Sequence, residues 1–485
     1  MSAVASVVPD TVATGPRLTW LRERGMGASI LVSALAAGFG VVLVEATALI
    51  GASLQADPFL GDSEMLALVV GILSVLLTGV AMYVAAIVTA NTFATIIAGR
   101  TRRIALMRLI GASARSQRDE VARQGLVIGV IGAAIGLVVG IALSAAGLSI
   151  AGRFLPVPDD FSLAQAGIVL PAVGVALTTW LAAWIGSRRV LTVTPLQALG
   201  GSVERVHDEV AARRGRHVVA LVLIGLGLAL LAVGIAVGLI TPLAVLIAFV
   251  GGVLSFTGLS MAAPLIMPPV LRAVGRMLGR GATARLAAEN ALRYPERSSR
   301  MAIGVVMGVA LVTMFAVAME SAKALMSRQF TDDVPPEFFA PLDAFAQVMM
   351  VLVGISAVIA AVGLVNLLTI GVVQRRRELG LLRAIGLTGR QVRRMVLLEA
   401  VHVTVAATLT GLVRGVFYGW AAAQATLGSV PVLPDYEAAG LVPPQIPWVT
   451  VLVVVVATAV LALVAAATPT RLATRVVPVE ALAAD

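Results

Sequence analysis

The chain has 485 residues, 59% of them hydrophobic and only 13% charged, with a mean hydropathy of +0.99. A soluble globular protein is about 45–50% apolar and about 25% charged, so a soluble enzyme, a disordered chain and a disulfide-rich secreted module are excluded. The absence of cysteine removes disulfides, thiolate metal sites, a catalytic thiol and a lipidated cysteine. The net charge of +10 would suggest nucleic acid in a soluble protein. Here the arginines sit in loops with no interleaved aromatics for base stacking, so no nucleic acid is expected. Three scattered histidines (His207, His217, His402) form no metal site, and Lys323 is the sole lysine. Arginine in place of lysine on this scale reads as a bacterial, GC-rich genome.

A membrane span needs about 20 mostly apolar residues. Taken in order, the candidates are 27–50, 66–98, 126–146, 168–185 and 218–240, then 244–266, 301–318, 346–373, 396–420 and 448–467. The first follows a polar arm and is too long for a signal peptide. About ten spans result, in an all-α polytopic protein of the cell membrane. Arginines cluster after the second, fourth and eighth spans and before the seventh, while Asp57, Asp62, Asp159, Asp160, Asp332, Asp333, Asp435 and Glu437 lie in the opposite loops. The arginine side is cytoplasmic by the positive-inside rule, which puts both termini inside.

The chain repeats itself. A constant offset of 275 (Glu320 less Glu45) pairs Glu45 with Glu320, Asn91 with Asn366, Arg102 with Arg377 and Arg108 with Arg383. It also pairs Gly111 with Gly386, Arg118 with Arg393, and Gly136 and Gly140 with Gly411 and Gly415. Further on the offset becomes 283 (Arg471 less Arg188). Each repeat therefore holds four spans, and two linking spans join them so that both keep one orientation. The expected organisation is a cytoplasmic arm at 1–26, a first unit at 27–200, a linker at 201–217 and linking spans at 218–270. An amphipathic arm at 271–300 and a second unit at 301–485 complete it.

No catalytic constellation is present. The sole lysine lies outside any Gly-x-x-x-x-Gly-Lys-Ser/Thr sequence, so this chain cannot bind ATP in the P-loop manner. The most informative stretch runs from Gln374 to Glu399. A helix leaving the eighth span is broken by Gly386, and a second short helix starts near Thr388, an expected N-cap. It carries Arg390, Gln391, Arg393 and Arg394 on its polar face. A compact basic elbow of this kind suits docking onto a partner. It recurs in the first unit with Arg102, Arg108, Gly111, Arg115 and Arg118.

Arg377-Glu378-Leu-Gly-Leu-Leu-Arg383-Ala-Ile-Gly386 resembles the signature of FtsX/MacB-type ABC transporter permeases. Leu286 to Arg297 resembles the arm leading into such a unit, and Pro195-Leu-Gln-Ala-Leu199 and Pro478-Val-Glu-Ala-Leu482 resemble its closing tail. Two fused units with two linking spans are similar to the ten-span branch, which includes peptide-antibiotic resistance permeases. The resemblance implies a non-catalytic permease subunit without a cofactor of its own. Two copies of an ABC ATPase subunit would hold the ATP and magnesium and dock on the elbows. Their closure would act by mechanotransmission on lipids, lipoproteins or amphipathic peptides at the outer face, with membrane lipids around the spans. With short outer loops, either the substrate is taken from the outer leaflet or an extracellular accessory protein supplies recognition. The sequence departs from the family pattern in two places: Arg103 stands where the second unit has Glu378, and the outer loops at 51–65 and 321–343 are short.

Among polar residues in the spans, Glu45 and Glu320 read as a symmetric acidic pair facing a substrate cavity or lying at head-group level. Asn91 and Asn366 read as helix bridges, and Gly136/Gly140 and Gly411/Gly415 as Gly-x-x-x-Gly packing faces. Two other functions fit the pattern. One is a regulatory scaffold controlling a cell-wall hydrolase or sensor kinase. The other is a proton-driven secondary transporter, which would need ionisable residues near the bilayer midplane.

Overall fold

The computed structural model describes residues 26–55, parts of 71–90, 113–151, 161–163, 166–192, 214–277, 281–293, 295–328, 376–432 and 437–474. The helices are α1 (Met26–Gln55), α2 (Ala114–Ala151), α3 (Val169–Thr192), α4 (Arg214–Val237), α5 (Ala244–Met261) and α6 (Ala263–Met277). They continue as α7 (Ala282–Arg293), α8 (Pro295–Ser327), α9 (Arg376–Ala384), α10 (Gly389–Leu427) and α11 (Trp448–Thr474). A short 3-10 turn, Ala166–Ile168, precedes α3, and a two-residue antiparallel pair, β1 (Pro431–Val432) and β2 (Glu437–Ala438), follows α10. Among the described residues seven helices are long and apolar enough to cross a membrane, and α11 adds a shorter apolar run, Trp448–Val464. The expected eighth span lies outside the described residues, and the second is described in part. The protein is an all-α polytopic membrane protein. Its outward apolar side chains, such as Leu221 at 70% exposure and Val413 at 72%, suit contact with lipid.

In the first unit α1 and α2 pack along a glycine face. A methyl on Gly136 would come within 2.6 Å of the Ala37 Cβ, and one on Gly140 within 2.7 Å of the Val41 Cβ. Only glycine lets the backbones approach this closely, which is the Gly-x-x-x-Gly packing expected from sequence. The contacts advance together along both helices, so α1 and α2 run parallel. Parallel neighbours that both cross a bilayer need a return crossing between them, and the helical residues at 71–90 lie in that connection. Helix α3 closes the unit against α1 and α2.

The second unit repeats this arrangement with α8, α10 and α11. Gly411, Gly415 and Gly419 face Val309, Thr313 and Val317 of a parallel α8. The register differs, however. In the first unit the facing partner lies 99 residues earlier (Gly136 less Ala37), and in the second it lies 102 earlier (Gly411 less Val309). The slip is three residues (102 less 99), or about 4.5 Å at 1.5 Å per residue. By packing, α1 and α8 are therefore related by an offset of 272 (Val309 less Ala37), not 275. The structural counterpart of Glu45 is Val317, and Glu320 falls level with Ala48. The sequence pairing of Glu45 with Glu320 matched identity. The fold instead matches the buried face of each helix.

Helices α4 and α5 form an antiparallel hairpin sealed by small residues, with Gly227 against Ser255 and Gly234 against Ala248. The expected amphipathic arm is two helices rather than one. Helix α6 begins immediately after Ala262 ends α5, so the sixth span ends earlier than its apolar composition suggests. Gly279 and Gly281 separate α6 from α7 in sequence, and Pro295 opens α8, a first-turn position that needs no backbone N–H. The main apolar core gathers α5, α6, α8 and α10 around Phe256, Met267, Leu271, Val306 and Tyr418.

Candidate functional site

The elbow of the second unit is built from two capping devices in succession. Helix α9 ends in a Schellman motif: the Leu387 N–H donates to the Leu382 carbonyl at 3.0 Å and the Gly386 N–H to Arg383 at 3.1 Å. Gly386 takes φ +109°, a left-handed conformation that disfavours any side chain. Thr388 then caps α10 in extended conformation. The Gln391 N–H donates to its hydroxyl at 3.3 Å, and the Thr388 N–H donates back to Gln391 Oε1 at 2.8 Å. This reciprocal box satisfies two otherwise orphaned donors. The helix it starts runs unbroken from Gly389 to Leu427, so the expected short second helix is the first turns of the ninth span.

One face of this elbow is fixed from behind. Val392, Met395 and Val396 are buried with Ala287 of α7, and Leu382 and Leu387 pack on the same cluster. The opposite face carries Glu378, Arg390, Gln391, Arg393 and Arg394, all exposed, and Arg383, half-buried and partnered. The Arg377 side chain lies outside the described residues. Between these polar groups Leu381 is 53% exposed and Ile385 69% exposed. Uncovered apolar groups ringed by charge are a docking pattern.

The first elbow is only partly described: Arg102, Arg108 and Gly111 lie outside the described residues. Ser113 caps α2 through a bond from the Ser116 N–H to its Oγ at 3.1 Å. Ser113 and Thr388 are 275 apart, so the elbow follows the sequence offset that the first span does not. Arg115 is exposed. Arg118 is not presented outward: its guanidinium lies 4.6 Å over the Trp184 ring of α3. Its counterpart Arg393 is exposed.

A family model, FtsX-like permease C-terminal, matches residues 75–195 and 350–478. The matches start 275 apart (350 less 75) and end 283 apart (478 less 195), the same two offsets that relate the repeats. The chain belongs to the FtsX-like permease family. Residues of this permease also align at 31% identity over 84 positions with the "Uncharacterized ABC transporter permease YknZ" of Bacillus subtilis (strain 168). That alignment covers 17% of this chain and spans about a fifth, 21%, of the relative's length.

The other residues singled out from sequence are dispersed across the permease. Gly136, Gly140, Gly411 and Gly415 line the two helix seams. Asn91 and Asn366 lie outside the described residues. Glu45 and Glu320 are not a matched pair in environment: Glu45 is 3% exposed, whereas Glu320 is exposed. No group of three or more metal-ligating side chains occurs among the described residues.

Two clusters escaped the sequence reading. Tyr83 of the second span donates to or accepts from Thr257 at 2.9 Å, and Tyr418 of α10 shares a 2.9 Å bond with Ser255. Phe256 sits between the two rings, with Arg414 over its face at 5.6 Å. Helix α5 is thus tied to both units at once. Arg414, a charge inside an apolar run, was the signal available for it. Behind the second elbow, buried His402 donates from Nε2 to the Leu271 carbonyl of α6 at 2.6 Å. A methyl on Gly275 would meet the His402 Cε1 at 3.2 Å, so the glycine makes room for the ring.

Proposed function

We propose that this FtsX-like permease is the membrane subunit of an ABC transporter, moved by ATP-hydrolysing subunits encoded elsewhere. The observation that carries the reading is the second elbow. It holds Leu381 and Ile385 uncovered among Glu378, Arg390, Arg393 and Arg394, on a turn braced by α7. Two ATPase copies, which hold the ATP and magnesium, dock on the two elbows from the cytosol. Their closure drives the units together, and the motion serves export or outer-leaflet extraction of an amphipathic substrate such as a peptide antibiotic, lipid or lipoprotein. The bracing supports this reading because a push on α9 passes directly to α10, α7 and α6. The name of the Bacillus relative, an ABC transporter permease, supports the same class.

Purification from native membranes in mild detergent, with partner identification and an ATPase assay, tests the proposal. A P-loop ATPase should co-purify with the wild-type chain. The double variant Leu381→Glu/Ile385→Glu should lose it while keeping its melting temperature, because both side chains are exposed. Gly386→Arg should lose it too, at a cost of about 1–2 kcal/mol for an L-residue held at positive φ. Retention of the ATPase by both variants removes the elbow from the docking role. A chain that purifies alone in every detergent turns the family likeness into one of fold and favours a secondary transporter.

A further inference from the structure

Glu45 has no use in the docking reading. It is 3% exposed in α1, and neither carboxylate oxygen has a hydrogen-bond partner. Glu399, the other buried acidic side chain among the described residues, is partnered.

No charge faces Glu45 from the described elements packed on it. Helix α1 holds no other titratable side chain between Met26 and Gln55. Helix α2 holds none beyond Arg123, and the 3-10 turn and α3 hold none before Arg188. Within 71–90 the one titratable residue is Tyr83, which is bonded to Thr257. An ionised carboxylate left dry and unpaired is very costly, and such a group neutralises instead.

The facing residue sharpens the point. Extending the α1–α2 register by one turn beyond Gly140 and Val41 sets Ser144 against Glu45. Ser144 is 8% exposed, and its Oγ is likewise without a partner. In the second unit the same two places hold Val317 and Gly419, which pack directly. At this level the seam therefore closes without polar groups, and packing does not require Glu45 opposite Ser144. A closed helix seam has room for a proton and for little else.

We propose that Glu45 is a proton-binding site peculiar to the first unit. It holds a proton while α1 and α2 are closed and releases it to water when that end of the seam opens. Hydration of the carboxylate stabilises the open form, and re-closure takes a proton back. Opening of the first unit is thereby proton-linked, whereas opening of the second, lined by Val317, is not. The site belongs to this chain and is measurable without an ATPase.

Infrared spectroscopy of the purified chain in nanodiscs tests the first half. At neutral pH the exposed carboxylates are ionised, so a protonated carboxyl C=O band that shifts in heavy water should stand out and vanish in Glu45→Gln. Identical spectra for wild type and variant overturn the proposal. The second half uses the cysteine-free background. Leu49→Cys places a thiol one turn along the same buried seam. Its labelling by an impermeant thiol reagent should rise several-fold more steeply between about pH 6 and about pH 9 than in Leu49→Cys/Glu45→Gln, with thiol ionisation common to both. Parallel pH profiles overturn the linkage. Absence of the band together with sodium-dependent protection of the thiol would assign a monovalent cation instead and overturn the proton.

Discussion

The two units of this permease are built alike and armed differently. In the second, Arg393 is exposed, Thr388 and Gln391 form a reciprocal cap, and His402 ties α10 to the arm helix α6. In the first, Arg118 folds back onto Trp184, Ser113 makes one side-chain cap, and Val127 stands at the position matching His402. The first unit instead carries Glu45 in its seam, where the second has Val317. The difference teaches that two copies of one frame can hold different polar groups at matching places. Among the described residues the reciprocal cap and the His402 bond belong to the second copy, and the buried carboxylate in the helix seam belongs to the first.

The most severe way to break the shared frame is to fill its glycine seams. A methyl on Gly411 already comes within 2.8 Å of Val309 Cβ, and one on Gly136 within 2.6 Å of Ala37 Cβ. Gly411→Leu and Gly136→Leu should each destabilise by at least about 1–3 kcal/mol through overpacking. Thermal melting in detergent and cellular yield measure this. Equal losses mean the seams are equivalent in weight despite the register slip. A much smaller loss at Gly136 would mean the Glu45-bearing seam is already loose enough to part.

The next effect is confined to the second unit. Replacing His402 with Ala removes a buried donor and leaves the Leu271 carbonyl with fewer bonds, a cost of about 1–3 kcal/mol. The control is Val127→Ala in the first unit, which makes no such bond. If the latch carries motion from the elbow, His402→Ala should also uncouple ATP turnover from substrate stimulation in the assembled transporter. Gly275→Ala, which crowds the same ring, should act in the same direction but more weakly.

Much of this was legible in the sequence, for identifiable reasons. Apolar runs fix the spans, arginine runs mark the elbows, and Thr388 after Gly386 is readable as an N-cap. The Gly-x-x-x-Gly spacing marks the close-packing faces but not the helices that meet them. The register of α8 was not legible, because Glu320 offered an identical partner for Glu45 and identity outweighed burial. Nor could the sequence show that Arg118 would turn onto Trp184, since that depends on how α3 packs 66 residues later (Trp184 less Arg118). His402 and Arg414 were visible as polar residues in an apolar run. Their partners, Leu271 and Phe256, come from another helix pair and have no local signature.

The smallest prediction separates the two elbows by their caps. Thr388→Ala removes the hydroxyl that accepts from the Gln391 N–H at 3.3 Å and donates to Gln391 Oε1 at 3.0 Å, while the backbone N–H of position 388 keeps its bond to Gln391 Oε1. A cap deletion costs about 0.5–2 kcal/mol, and because the backbone half of the box survives, this one falls near the middle of that range. Ser113→Ala removes one hydroxyl bond where Thr388→Ala removes two, and should cost somewhat less. Hydrogen exchange at the first turns of α10 and α2 reads each change locally, free of the global unfolding that membrane proteins resist. Because the Schellman turn at Gly386 and the Leu387 contact remain after Thr388→Ala, exchange should quicken at 389–392 and not in α9. If α9 loosens as well, the two caps act as one unit. The elbow then moves as a rigid piece against α7, which is the behaviour a docking lever requires.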